Sequence, residues 1–136
     1  MSRRDTPAGA TAELEWVKGD MMDPVSLDSA LLGVDVVIAS ANGYMKESIA
    51  VDFVGNKNLI EAAARAKVKR FVFLSIVNCE AAADVPHFHA KKVAEDLLKS
   101  SGIPYVFIRA CACLPRPEHR LHCRWRQSGS VLCNGR

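Results

Sequence analysis

The chain has 136 residues, 49 % of them hydrophobic and 24 % charged, enough for one domain with a single core and too short for two comfortable ones. Those figures exclude low complexity, a collagen-like repeat and disorder of the whole chain. The net charge of +3 is uneven: residues 1–110 carry 13 Lys and Arg against 14 Asp and Glu, whereas residues 111–136 carry five Arg, one Glu and no Lys. In chain order, Glu15-Trp16-Val17 predicts a brief strand. Asp23-Pro24 predicts a helix start, with Asp23 as N-cap, running through Leu27, Ala30 and Leu31 and stopping at Gly33. Val34 to Ala39 is β-branched and almost continuously apolar, the pattern of a strand buried on both faces of a parallel sheet.

After the turn-prone Ala41-Asn42-Gly43, a helix is predicted over Ser48 to Lys67, with Ile49, Phe53, Ile60, Ala63 and Ala64 on its apolar face. Arg70 to Ser75 is the clearest strand. A further helix over Ala90 to Ser101 is expected to bury Val93, Ala94, Leu97 and Leu98, with Glu95 and Lys99 paired on its outer side. Gly102 caps it, Pro104 follows, and Tyr105 to Arg109 is one more strand. The alternation of strands and helices with short connections predicts an α/β fold, a parallel sheet with right-handed crossovers.

Gly19-Asp20-Met21-Met22-Asp23-Pro24-Val25-Ser26-Leu27 resembles the G-D-x-x-D-P-x-S-L segment of the short-chain dehydrogenase/reductase superfamily, most closely its atypical NmrA-like branch. Further segments agree in order and spacing: Gly33 to Val37, Asn56 to Ala63, Val68 to Val72, Lys91 to Glu95, Ser101 to Tyr105, and Arg109. The resemblance covers about residues 14 to 110, with residues 1–13 expected as a flexible N-terminus. It implies a partial Rossmann-type, doubly wound sheet and a nicotinamide dinucleotide cofactor at the carboxyl ends of its strands. NADP is the expected form, with NAD as the alternative.

The same resemblance implies roles for particular residues. Asp20 is expected at the adenine edge with Met21 beside it; otherwise Asp20 caps a loop. Ser40 and Ala41 fall where the ribose and phosphates pass, and small residues there also suit any tight turn. Arg3 and Arg4 resemble the basic residues that pair with a 2′-phosphate, or else belong to a charged terminus. Lys91 stands at the family's catalytic lysine, and His87 occupies the tyrosine position four residues earlier, a substitution typical of NmrA-like members. Histidine transfers protons near neutral pH, so chemistry stays open. Lys91 and Lys92 are alternatively two solvated charges at a helix start. Ser75 either faces the nicotinamide or is a strand-end hydroxyl.

The family's glycine-rich phosphate loop has no counterpart: Gly9, Gly19, Gly33, Gly43 and Gly55 are isolated. The first strand–helix unit is therefore expected to be missing. In a sheet ordered 3-2-1-4-5-6, that leaves Val34–Ala39, Arg70–Ser75 and Tyr105–Arg109 as a three-stranded parallel core. The strand at Glu15 is then detached or re-paired, an apolar edge is exposed at Val36–Ile38, and pyrophosphate binding is poor.

Four of the five cysteines fall after residue 110, only Cys79 lying in the body, which argues against a disulfide scaffold and for a reducing, cytoplasmic setting. Residues 111–136 show neither helical nor strand periodicity and are expected to form an irregular basic tail. Cys111, Cys113, His119, His122 and Cys123 match no common zinc spacing, so no metal site is expected, and no nucleic-acid contact either. A shifted reading frame after codon 110 is the favoured explanation of the abrupt change in composition. No apolar run approaches the roughly 18 residues of a membrane helix, and Met1 to Pro7 lack the apolar centre of a secretory signal. The expected function is the NAD(P)-binding domain of an NmrA-like oxidoreductase of reductase type, weakened or inactive as the chain stands. The alternative is a non-catalytic NADP(H)-sensing regulator. Partners are the dinucleotide and an unknown small-molecule substrate or protein.

Overall fold

Asp23 opens the first regular element: its Oδ1 accepts from the Val25 N–H at 3.1 Å, and Pro24 follows at the first helical position, where a missing N–H costs nothing. The computed structural model describes residues 15–43, 49–81 and 84–110, and the backbone of two further strands at 122–125 and 131–134. Helix α1 (Pro24–Ala30) buries Leu27 and runs into a turn that Gly33, at φ +73°, completes in the left-handed region glycine favours. Strand β1 (Val36–Ala39) follows. A π-helical segment (Ile49–Gly55) leads directly into α2 (Asn56–Arg65), then come β2 (Arg70–Ile76), α3 (Pro86–Ser100) and β3 (Tyr105–Ala110).

The three strands form one parallel sheet in the order β1-β2-β3, as expected. Val37 pairs with Phe71 and Phe71 with Tyr105, while Ala39, Phe73 and Phe107 align across the sheet. Because the chain steps the same way twice, right-handed crossovers put α2 and α3 on one face. Val37, Ala39, Phe71, Phe73 and Phe107 are buried there against Leu59, Ile60, Ala63, Ala94 and Leu98, with Leu27 and Leu31 completing the core. The Phe73 and Phe107 rings meet edge to face at 6.4 Å.

Several expectations need correction. β1 is buried on one face only: Val36 and Ile38 are 49 % and 71 % exposed, because no described helix covers their side of the sheet. Glu15 to Val17 forms no strand; the backbone of Lys18 alone in this stretch makes a β-bridge. The predicted long α-helix is π-helical over its first described turns. Ile49 and Phe53 face outward there, and Asp52 and Asn56 are buried in the interior instead. Gly55 permits the close approach to Met21, since a Cβ at 55 would stand 3.2 Å from Met21 Cβ. α3 starts at Pro86, a residue suited to the first helical position, one turn before the predicted start. Glu95 is fully buried rather than on the outer side, because Arg109 from β3 reaches it; its expected pair with Lys99 is present at 4.0 Å, and Lys99 also bonds Asp96.

After Ala110, β4 (His122–Trp125) and β5 (Val131–Asn134) pair antiparallel, Cys123 opposite Cys133. The expectation of an irregular tail is corrected there. The alternation is only four residues long in each strand, too short a signal for a period-two pattern to stand out.

Candidate functional site

Strands of a parallel sheet end on one side, and the residues just past those ends line a common crevice. At that edge a cleft of about 220 Å³ is lined by Ser40, Asn42, Leu74, Ser75, Ile76, Lys91 and Ala110. Lys91 is its charged member. It lies in the second turn of α3 and is 5 % exposed. Its Nζ is 3.2 Å from Asp52 Oδ1, donates to the Ala41 carbonyl at 3.3 Å, and stands 5.1 Å from the centre of the Phe73 ring. Lys92, by contrast, is half-buried and pairs with Asp96 one turn on. The two lysines are therefore not alike.

The structure brings Ser40, Ala41, Ser75 and Lys91 together. Asp52, which secures Lys91, was missed; the available signal was a lone carboxylate inside the apolar run Ile49-Ala50-Val51-Asp52-Phe53. Asp52 Oδ1 also accepts from the Gly43 N–H at 3.2 Å, so it ties the loop after β1 to the π-helical segment and α3. Asn42 was read only as a turn former and lines the cleft.

Asp20 belongs to a second hollow, of about 310 Å³, with Lys18, Gly19, Asp23 and Ser26. Its Oδ1 accepts from the Met22 N–H at 2.9 Å, and its own N–H donates to Ser26 Oγ at 2.9 Å. That is the loop-capping role, and it uses one carboxylate oxygen. Met21 packs on Gly55, and its carbonyl accepts from Asn58 Nδ2 at 2.9 Å, which pins the loop to α2. His87 is exposed, its ring 4.7 Å from that of Phe88, and it does not line the cleft. Arg3, Arg4, Cys111, Cys113 and His119 lie outside the described residues.

Beneath the cleft, Arg109 Nε and Nη2 donate to the two oxygens of Glu95 at 2.9 and 2.5 Å, and Nη2 also reaches Glu80 at 3.1 Å. Burial alone would raise the Glu95 carboxyl, but the Arg109 hydrogen bonds and the nearby Ser75 and Lys99 outweigh it and hold it below the usual carboxylate range. The same bonds to Glu95 raise Arg109 further. Cys79, buried with its Sγ 3.7 Å from Glu95 Oε1, is pushed up by burial and then by that carboxylate. This group is a rigid floor rather than a reactive centre.

An ammonium has three N–H donors, and Lys91 uses two, on Asp52 and Ala41. Ser75 Oγ is buried without a hydrogen bond of normal geometry among the described residues. The uncommitted donor of Lys91 suits a hydroxyl at the ribose end of a nicotinamide cofactor. The cleft is below the roughly 300 Å³ at which whole small-molecule sites begin, so it matches that end alone. Among the described residues no group of three or more His, Cys, Asp or Glu is placed to hold a metal ion, and no helix is long and apolar enough to cross a membrane.

The profile of a family described as NAD(P)H-binding matches residues 1–128. The photosystem II assembly factor Ycf39 of Cyanophora paradoxa is 39 % identical over 103 residues, which cover 74 % of this chain and 32 % of that protein. The Bordetella bronchiseptica enzyme WbmH, solved with NAD+, superposes with a TM-score of 0.67 at 23 % identity over 74 % of this chain and 41 % of that one, a likeness of fold. The Citrobacter sp. triphenylmethane reductase, solved with NADP(H), gives a TM-score of 0.60 at 26 % identity over 68 % of this chain and 31 % of that one. The chain thus spans less than half the length of each of these relatives. It belongs to the NAD(P)H-binding family and, within it, to the NmrA-like atypical short-chain dehydrogenases/reductases.

Proposed function

We propose that this chain holds the nicotinamide–ribose end of NADP(H), with NAD as the alternative, for an NmrA-like oxidoreductase of reductase type. The observation that carries the reading is Lys91, buried, ion-paired and with one donor uncommitted, at the carboxyl ends of three parallel strands. When bound, the nicotinamide supplies a hydride carrier. Lys91 then donates to a ribose hydroxyl, Ser75 offers its hydroxyl to the ring end, and Ser40 and Ala41 form the wall. His87, one helical turn before Lys91, is the group assigned to proton transfer, on the resemblance alone. Asp20 offers its remaining carboxylate oxygen to the adenine amine. The preference for NADP rests on Arg3 and Arg4 in the sequence. A reducing, cytoplasmic setting accords with the cysteine distribution.

A second reading, a non-catalytic NADP(H)-responsive protein with a protein partner, is favoured by His87. That residue faces solvent and makes no hydrogen bond among the described residues. A relative named as an assembly factor fits the same reading.

Titration with NADPH, followed by nicotinamide fluorescence, tests the common core of both. Saturable binding is expected, weakened about tenfold in K91M by loss of a charge-assisted hydrogen bond. Absence of binding at millimolar NADPH overturns the reading. Hydride transfer in a longer relative that keeps this histidine, compared with its His→Tyr variant, separates the two: turnover with histidine supports the oxidoreductase, and turnover only with tyrosine supports the sensor.

A further inference from the structure

We propose that Asp52 is a positioning residue for the nucleotide site, acting through Lys91. This rests on the reading of Lys91 given above and extends it to a residue that makes no contact with the cleft. Four observations converge. Asp52 is fully buried, and its pair with Lys91 is closed to solvent on both sides, at 0 % and 7 % side-chain exposure. A buried ion pair of that kind fixes geometry more than it adds stability, since the desolvation of both charges offsets their attraction. The carboxylate sits in a π-helical turn, a backbone form concentrated at functional sites.

The third observation is how the bonds divide. Asp52 Oδ1 accepts from both Lys91 Nζ and the Gly43 N–H, so one oxygen joins the lysine to the loop that carries Ala41 and Asn42. Ala41 in turn accepts from the same ammonium. Lys91 is therefore held from two sides by one short stretch of structure, and its remaining donor has a defined direction. The fourth is that Asp52 Oδ2 and Asn56 Oδ1 are both buried without a partner among the described residues. Unsatisfied buried acceptors are costly and rarely kept for packing alone. A neutral residue of similar shape at 52 would avoid that cost but would leave the lysine free to reorient.

The experiment uses the full chain and four variants, D52N, D52E, K91M and D52N/K91M, titrated with NADPH and with adenosine 2′,5′-bisphosphate, which lacks the nicotinamide ribose. D52N is expected to weaken NADPH about tenfold and to leave the bisphosphate unchanged. D52E, which keeps the carboxylate, recovers most of that loss, and the double variant is no weaker than K91M alone. The proposal is overturned if D52N binds NADPH like the wild type, if the two single losses add, or if both ligands weaken equally. If K91M binds NADPH like the wild type, the reading of the site falls as well, and the comparison separates the two failures. The 1H–15N signal of the Lys91 ammonium, recorded without nucleotide, reports position directly. A persistent signal in the wild type and D52E that is lost in D52N supports the role, and its survival in D52N overturns it.

Discussion

Arg109 on β3 clamps the fully buried carboxylate of Glu95 on α3 through two parallel hydrogen bonds, Nε to Oε1 at 2.9 Å and Nη2 to Oε2 at 2.5 Å. Bidentate geometry of this kind fixes the helix against the strand. E95Q leaves Arg109 with only the more exposed Glu80 as its carboxylate partner, so it is expected to cost about 3 kcal/mol at neutral pH by urea unfolding. The folded carboxyl lies below its ordinary value, so the pair's contribution is present in full above that value and is lost as pH falls through the folded one. Stability measured from about pH 5 downward should therefore fall more steeply in the wild type than in E95Q. Equal slopes would show that the pair does not titrate with folding.

Cys79 makes a separate prediction about reactivity. Burial and the Glu95 carboxylate both keep its thiol protonated, and the thiolate is the reactive form. Alkylation with iodoacetamide, mapped by peptide mass, should leave Cys79 unmodified in the folded chain and modify it in urea. Rapid labelling of Cys79 in the native state would contradict the packing around α3.

Gly33 and Gly55 are needed for different reasons. At Gly33, φ is +73° with nothing within 4 Å of a Cβ, so the cost of a side chain is conformational. G33A should lose about 1 kcal/mol and G33N less, because asparagine tolerates the left-handed region. At Gly55 the obstacle is Met21, with Cβ and Cε at 3.2 and 3.3 Å. G55A should cost about 1 kcal/mol and G55V more, through displacement of the loop that carries Asp20. Urea midpoints for the four variants test both assignments.

Val36 and Ile38 leave an apolar stripe on the edge strand. Such an edge templates pairing with another chain. I38K is expected to reduce concentration-dependent light scattering while changing stability by less than about 0.5 kcal/mol. Unchanged scattering would place the association elsewhere on the molecule.

The three parallel strands and the cap at Asp23 were legible because each depends on short-range chemistry: β-branched runs, a proline after an aspartate, a glycine at a helix end. Lys91 was legible through its segment's resemblance to a family. Asp52 was not, since its partner Lys91 lies 39 residues away on another helix and no local pattern joins the two. The burial of Glu95 was misread for a related reason. Spacing along α3 paired it with Lys99, which does lie 4.0 Å from it, but its closer partner is on β3, 14 residues away. Ion-pair choice between elements depends on which face of the sheet the helix covers, and that is settled by strand order rather than by local pattern.

The strand pairing has a kinetic consequence. Both ladders join residues 34 positions apart, Val36 with Arg70 and Phe71 with Tyr105. Each closure therefore spans one intervening helical stretch and carries a similar entropy, with no contact waiting on a distant strand. A sheet built in chain order from equal steps can assemble as the polypeptide emerges, β1 with β2 and then β3. Its folding rate is set by these two closures of 34 residues each, the kind of non-local parallel pairing that makes sheet formation slow compared with the local winding of α2 and α3.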